Sequence, residues 1–305
     1  MLQKWYSNAK LMLTGEYMVL FGARALAMPL KFGQSLEVLE EEGNALLYFR
    51  TEVLGKPWFD AKFGTDNFEI LDASNSSIAC YLQELFSGAR LLNPLFLKES
   101  KRLHVITKVD FDITWGLGSS STLISNIAWW ADVNPYELNS IISDGSGYDI
   151  ACARSNTALY YSLISRIPLI EPVVYNPKCT RQIWFVYLGN KLATESHLIE
   201  IVDKINPMSS EIKEISAIST AFATAGSVSD MSQLMLRHEL IVSKVLGKAT
   251  IQSQYFTDFK GTMKSLGAWG GDFCMVVTGE NELYVKEYFE QKGLRTVLSF
   301  EQLSI

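Results

Sequence analysis

The sequence predicts an α+β architecture in two layers, divided between two domains. Three observations carry this. The chain has 305 residues, beyond the size at which a single core usually stops growing. Apolar residues alternate in some segments and recur at helical spacing in others. Strands and helices follow one another irregularly, with no repeated period, which argues against a solenoid or a doubly wound sheet. Hydrophobic residues make up 48% and charged residues 20%, proportions of a chain that buries a core rather than of a disordered one.

Along the chain, Ala25 to Leu39 reads as a strand and Ser76 to Leu92 as a helix. From Arg102 to Ile113, apolar residues fall on alternate positions (Leu103, Val105, Val109, Phe111, Ile113), the pattern of a long half-buried strand. A glycine turn ends it. Leu123, Ile124, Ile127, Ala128 and Ala131 then recur at helical spacing, with Ser119 to Thr122 as cap-type residues in front of them. Trp129 and Trp130 on this helix read as core. The run Ile183 to Leu188 is apolar on both faces, as a central strand should be, so the second domain is placed to begin near Arg181. Ser209 to Leu246 is helical with a break at Gly226, and the strands DFCMVVTG and LRTVLSF flank a helix through YVKEYFEQK.

Composition narrows the function. Formal net charge is -6 with both signs mixed along the chain, so no basic stripe is offered to a nucleic acid. Cys80, Cys152, Cys179 and Cys274 lie far apart with no CxxC pair, which points away from a zinc ribbon or disulfide framework and toward a cytoplasmic location. The N-terminal stretch meets Gly15 and Glu16 before a signal-length apolar core forms, and no later run approaches the ~18 residues a bilayer span needs. A protein that is soluble, not exported and not membrane-bound is expected.

The segment DITWGLGSSSTLIS, Asp112 to Ser125, lies at the strand-to-helix junction. A helix N-terminus offers N–H groups and the positive end of the helix dipole, so a glycine turn in front of it suits an anion, phosphate above all. It is not a Walker A loop, which needs a lysine that GLGSSST lacks. It is not GxGxxG either, because Ser121 stands at the third glycine. The first turn, Ser119 to Thr122, holds no acid. A hydroxyl-capped helix after a tight turn fits the segment equally well.

Two further segments, SNAKLMLTGEYMVLFGARALAMP (Ser7 to Pro29) and MKSLGAWGGDFCMVV (Met263 to Val277), join GLGSSST in order and spacing. Together the three resemble the motifs of the GHMP kinases, the family of galactokinase, homoserine kinase, mevalonate kinase and phosphomevalonate kinase, over nearly the whole chain. GSGYDIACA, Gly145 to Ala153, is similar to the corresponding segment of phosphomevalonate kinases, and Tyr17 stands where mevalonate kinases carry histidine. The resemblance implies a ribosomal protein S5 domain 2-like N-terminal domain over 1–178 and a ferredoxin-like C-terminal domain over 179–305. It also implies an ATP-dependent kinase acting on the hydroxyl or phosphate of a small molecule, mevalonate or phosphomevalonate, with ATP and Mg²⁺ as cofactors, as a monomer or homodimer.

By the same resemblance, Gly116, Leu117, Gly118, Ser119, Ser120 and Ser121 bind the nucleotide, and the Ser120 hydroxyl contacts the metal. Asp149 is the base, and Lys10 is its electrostatic partner near the transferring phosphate. Glu16 and Tyr17 of the first motif and Gly267, Gly270 and Gly271 of the third line the substrate side. Lys191, Thr194 and Ser196 in GNKLATESH are candidate anion contacts, with Arg24 and Arg154 as further ones. His104, His197 and His238 share no motif and read as structural or exposed.

The pattern departs from the family in three places. Leu138 occupies the position of the metal-binding glutamate of mevalonate kinases, and Glu137 would point elsewhere on a helix. Trp115 and Thr114 replace the small residue and the glycine or proline before GLGSS, and Trp269 replaces a small residue of the third motif. The missing carboxylate either marks the phosphomevalonate side of the family or signals a weakened metal site. Two alternatives therefore stay open: a non-catalytic member that binds nucleotide or metabolite, and an enzyme like diphosphomevalonate decarboxylase.

Overall fold

The computed structural model describes residues 2–98, 102–143, 145–189, 206–267, 269 and 271–305. They group into two compact units, neither continuous in sequence. The first comprises Met1–Ala9, Phe32–Ile113 and Leu117–Arg154; the second comprises Lys10–Lys31, Thr114–Gly116 and Ser155–Ile305. Two long strands, β1 (Leu2–Thr14) and its partner β2 (Ala25–Glu41), contribute residues to both.

In the first unit, the second half of β2 joins β3 (Leu46–Val53), β4 (Lys56–Gly64), β5 (Ile70–Ala73) and β6 (Arg102–Val109) in the order β5-β4-β3-β6-β2. Only β3 and β6 run parallel; the other pairs are antiparallel. Alternate residues Leu36, Val38, Leu47, Phe49, Leu103 and Val105 point to one face. Against them pack Leu82 and Phe86 of α1 (Ser76–Leu92), Ile124 and Ile127 of α2 (Ser119–Trp130), Leu138 of α3 (Pro135–Ile142) and Ile150 of α4 (Tyr148–Ala153). Helix α1 begins where the Asn75 side chain accepts the Ile78 N–H, and its buried residues recur at helical spacing.

The strand expected to reach Ile113 ends at Val109. Asp110 turns the chain there, its carboxylate accepting the Gly33 N–H at 2.6 Å and the Tyr6 hydroxyl at 3.0 Å. Trp130 lies edge-on to Phe86 and Phe96, as a core residue does, whereas Trp129 is exposed beneath the Arg154 guanidinium, 4.3 Å from its ring.

In the second unit, β7 (Leu159–Ile164) and β8 (Ile167–Pro172) form a hairpin beside the start of β2, with Ala25–Ala27 opposite Leu159–Tyr161. A separate sheet orders β10 (Thr262–Leu266), β11 (Phe273–Val277), β9 (Ile183–Tyr187) and β12 (Val297–Ser299), every pair antiparallel. Numbered by occurrence this order is 2-3-1-4, that of the ferredoxin-like fold, and β9 is the inner strand its two-faced apolar run predicts. The helices are α5 (Ser209–Phe222), α6 (Val228–Leu246), α7 (Ile251–Tyr255), α8 (Glu282–Gln291) and α9 (Phe300–Leu303). The break at Gly226 separates α5 from α6, where Ser227 caps the second helix by accepting the Asp230 N–H. No described helix is long and apolar enough to cross a membrane.

Candidate functional site

Within the first unit, the glycine turn leads straight into α2. Gly118 is itself the N-cap of α2, at φ +97°, a conformation costly to any side chain. The helix therefore starts at Ser119, and Ser119 to Thr122 form its first turn, as the sequence suggests. No side chain caps this end and no acid lies in the first turn. The hydroxyls face inward along the turn: Ser121 donates to the Gly118 carbonyl at 2.9 Å, and the Thr122 hydroxyl lies 3.1 Å from the same oxygen. Ser120 is exposed, and its hydroxyl lies 2.5 Å from that of Tyr81 on α1.

A buried polar network holds α2 in place. Thr122 donates to the Gln34 side-chain carbonyl at 2.6 Å, and the Gln34 amide reaches Thr107. Asn126 donates to the Gln34 backbone carbonyl at 2.9 Å, while Ser7 lies within hydrogen-bond distance of both Asn126 and Ser125. Arg154 extends the network, its guanidinium meeting the Ser125 hydroxyl at 3.2 Å and carbonyl at 3.1 Å. Such satisfied networks fix one geometry for the elements they join.

Asp149 sits in the first turn of α4, which Gly147 opens at φ +79°. It is half-buried, and one carboxylate oxygen accepts the Ile150 N–H at 3.0 Å. The Tyr136 phenol is pushed up to about 12, by burial first and then by Cys152 and Asp149 acting against the Arg154 charge. Burial also lowers the Arg154 guanidinium from its ordinary value.

Within the second unit, Lys10 donates to the Gly116 carbonyl at 2.9 Å. Gly116 lies at φ +66°, and a Cβ there would collide with the Asp272 carboxylate. Thr114 and Trp115, odd by the family's pattern, have packing roles: the Tyr187 hydroxyl donates to the Thr114 carbonyl at 2.9 Å, and Trp115 stands edge-on to Phe273 at 6.0 Å.

The first and third motifs meet in this unit. The Tyr17 hydroxyl accepts the Trp269 backbone N–H at 2.7 Å, and the Trp269 indole donates to the Ala249 carbonyl at 3.1 Å. Trp269 thus anchors its loop on the apolar cluster of Tyr17, Met18, Ile215, Ile218 and Val242. The Lys264 ammonium donates to Glu16 at 2.5 Å, both residues buried. Gly267 takes φ +70° with open space around it. Gly270, Lys191, Thr194, Ser196 and His197 lie outside the described residues, and Gly271 and Asp272 lead into β11.

Arg24 is engaged by Glu171 at 3.1 Å and lies over the Tyr160 ring at 5.0 Å, and Arg154 is bonded as above. His104 stacks on Tyr48 at the surface.

A comparison with protein-family models gives no match, and one with curated proteins gives none. Solved structures do match along the whole chain. The Methanococcus jannaschii mevalonate kinase superposes with a TM-score of 0.71 at 17% identity, over 97% of this chain and 98% of that one. The Streptococcus pneumoniae phosphomevalonate kinase, solved with phosphomevalonate and AMPPNP, gives 0.71 at 14% identity, over 97% and 99%. The Lactococcus lactis galactokinase, solved with galactose, gives 0.65 at 13% identity, over 98% and 92%. The chain has the GHMP-kinase fold. At these identities the likeness is one of fold, spread across mevalonate, phosphomevalonate and sugar kinases alike.

On this GHMP fold, Leu138 is fully buried among the apolar residues behind α2 and α4, and the Glu137 carboxylate meets the N-cap side chain of Asn134 at 3.4 Å. Among the described residues, no group of three or more His, Cys, Asp and Glu is placed to hold a metal ion. Ser120 offers one exposed hydroxyl oxygen, a hard donor of the kind Mg²⁺ takes.

Sequence reasoning missed a buried ionisable group in the second unit. His238 and Glu239 of α6 and Lys264 of β10 are all 0–1% exposed, and Glu16 is 5% exposed. Burial raises Glu16 while Lys264 opposes it, and burial pushes Glu239 up to about 8, with Lys264 opposing and Glu16 adding to the rise. The one available signal was the pair His238-Glu239 inside an amphipathic helix, at positions its periodicity assigns to the apolar face.

Proposed function

We propose that the chain is an ATP-dependent small-molecule kinase that transfers the γ-phosphate of ATP to a hydroxyl or phosphate of mevalonate or phosphomevalonate, in isoprenoid-precursor synthesis. The observation that carries this reading is the uncapped, acid-free start of α2 behind left-handed Gly118, on a fold whose neighbour was solved with AMPPNP. The domain boundary is placed at 178/179, and a cytoplasmic monomer or homodimer is the assembly that goes with the reading.

In this mechanism the backbone N–H groups from Gly116 to Ser121 cradle the nucleotide's phosphates. Asp149 accepts the proton of the acceptor hydroxyl as its oxygen bonds to the γ-phosphorus and the bond to the ADP oxygen breaks. Lys10, oriented by the Gly116 carbonyl, offsets negative charge on the phosphoryl oxygens. Mg²⁺, when bound, neutralises phosphate charge, and Ser120 is the residue that would hold it. Tyr17, Glu16 and the third-motif glycines Gly267, Gly270 and Gly271 form the acceptor side, with Lys191 and Thr194 as anion contacts.

Leu138 favours a second reading, a non-catalytic member that binds nucleotide or metabolite, because the carboxylate that would hold metal on α3 is replaced by core. ADP release with Mg-ATP against mevalonate, phosphomevalonate, diphosphomevalonate, homoserine and galactose separates the readings. Turnover on mevalonate or phosphomevalonate supports the proposal. Nucleotide binding without turnover supports the second reading, and carbon dioxide release with diphosphomevalonate identifies a decarboxylase.

A further inference from the structure

We infer that His238 is a positioning residue for the first-motif turn: its neutral imidazole, protonated on Nδ1, accepts the Gly15 backbone N–H and so sets the orientation in which Glu16 and Tyr17 meet the acceptor substrate. This rests on the kinase reading for the word substrate; the tautomer and its bond stand on geometry alone.

The geometry is specific about the proton. The Gly15 N–H points at His238 Nε2 across 2.9 Å, with both residues buried. A backbone N–H only donates, so Nε2 holds a lone pair and the ring's one proton is on Nδ1. The same Nε2 lies 3.2 Å from the second carboxylate oxygen of Glu16, whose first oxygen takes the Lys264 ammonium. A proton on Nε2 would face the Gly15 hydrogen and turn instead to Glu16, so protonation exchanges one bond for the other.

The groups around the ring keep it neutral. Lys264 of β10, Glu16 of the turn and Glu239 of the same helix are the titratable groups nearby. Burial and the Lys264 charge together hold the imidazole well below its ordinary value. Burial raises Glu239 as well, and its protonated form adds no negative charge beside the Lys264–Glu16 pair.

The turn needs such a support. Tyr17 sits at φ +61°, a region that a residue with a side chain keeps only where the surroundings over-determine it. Three hydrogen bonds from outside the turn do so: His238 to the Gly15 N–H, Lys264 to Glu16, and the Trp269 backbone N–H to the Tyr17 hydroxyl. Of these His238 alone lies outside every motif.

Imidazole ¹⁵N NMR of the intact protein reads the tautomer directly. We expect Nδ1 at a protonated and Nε2 at an unprotonated shift, unchanged between about pH 6 and pH 8; a cationic ring or an Nε2–H tautomer overturns the inference whatever the activity. Two variants read its consequence. His238→Gln brings an amide oxygen close to the Nε2 position, whereas His238→Asn is too short to reach Gly15. Loss of one hydrogen bond predicts about a tenfold rise in KM for mevalonate or phosphomevalonate, whichever the wild type turns over, in His238→Asn, with rescue to within about threefold in His238→Gln. KM for ATP should not move in either. An equal rise in both KM values, or no difference between the two variants, means a structural role only and overturns the inference. Wild-type inactivity with every acceptor would instead sink the kinase reading, leaving the ¹⁵N result to decide the tautomer.

Discussion

The ammonium of Lys10 donates a 2.9 Å hydrogen bond to the carbonyl of Gly116, tying the first motif's strand β1 to the left-handed glycine that begins the second motif. A lysine held by a backbone carbonyl has a fixed place from which to meet developing charge without reorganising. Lys10→Met should therefore lower kcat by about 100-fold or more while the protein stays folded. Gly116→Ala should act differently, lowering the melting temperature because its Cβ meets the Asp272 carboxylate in a strained backbone. Steady-state kinetics and thermal melting of the two variants distinguish these effects.

Ser120 presents an exposed hydroxyl 2.5 Å from that of Tyr81. Ser120→Ala should weaken AMPPNP binding in the presence of Mg²⁺ by about tenfold, with little effect when the metal is chelated. Tyr81→Phe, which leaves the serine in place but removes its orienting partner, should move in the same direction by less. Titration calorimetry with and without Mg²⁺ measures both.

Restoring the family's carboxylate should fail. Leu138 is fully buried among apolar neighbours. Leu138→Glu should cost about 3 kcal/mol or more of stability in urea unfolding, because an unpaired acid is forced into the core. No gain in Mg²⁺ affinity should accompany it.

Glu239 supplies a pH dependence whose sign is opposite to that of an ordinary surface carboxylate. Its folded-state value of about 8 lies above the unfolded value of 4.5, so the native state holds the proton more tightly. The stability this lends is complete below about pH 4.5 and is lost as pH rises through about 8. Glu239→Gln, neutral at every pH, should flatten the melting-temperature profile between pH 5 and pH 8.5, with a relative gain at the alkaline end on the order of 5 °C. A variant profile parallel to the wild type would rule out Glu239 as the group responsible.

The parts readable from the sequence were those governed by local rules. The apolar spacing of Ser76 to Leu92 marks a helix whose bounds the structure reproduces, and the two-faced run from Ile183 marks the inner strand of the second unit's sheet. Gly118 announces the start of α2, although only backbone angles show that the glycine itself is the N-cap. Harder to read were features that depend on distant partners. Val109 ends a strand whose alternation continues to Ile113, because Asp110 is captured by Gly33 and Tyr6. Trp129 and Trp130 are identical in type and adjacent, yet the helix sends one to the core and the other beneath Arg154. The His238, Glu239, Lys264 and Glu16 cluster joins residues more than two hundred positions apart, and no spacing rule reaches across that distance.

The measurement that tests the central claim most directly is transfer of labelled γ-phosphate from ATP to mevalonate and to phosphomevalonate, by wild type and by Asp149→Asn side by side. A phosphorylated product is expected from wild type with one of the two acceptors, and a loss of about 100-fold or more in the variant with nucleotide binding intact. Equal transfer by both proteins would contradict the assignment of Asp149 as base, and no transfer by wild type to either acceptor would contradict the proposed kinase activity itself.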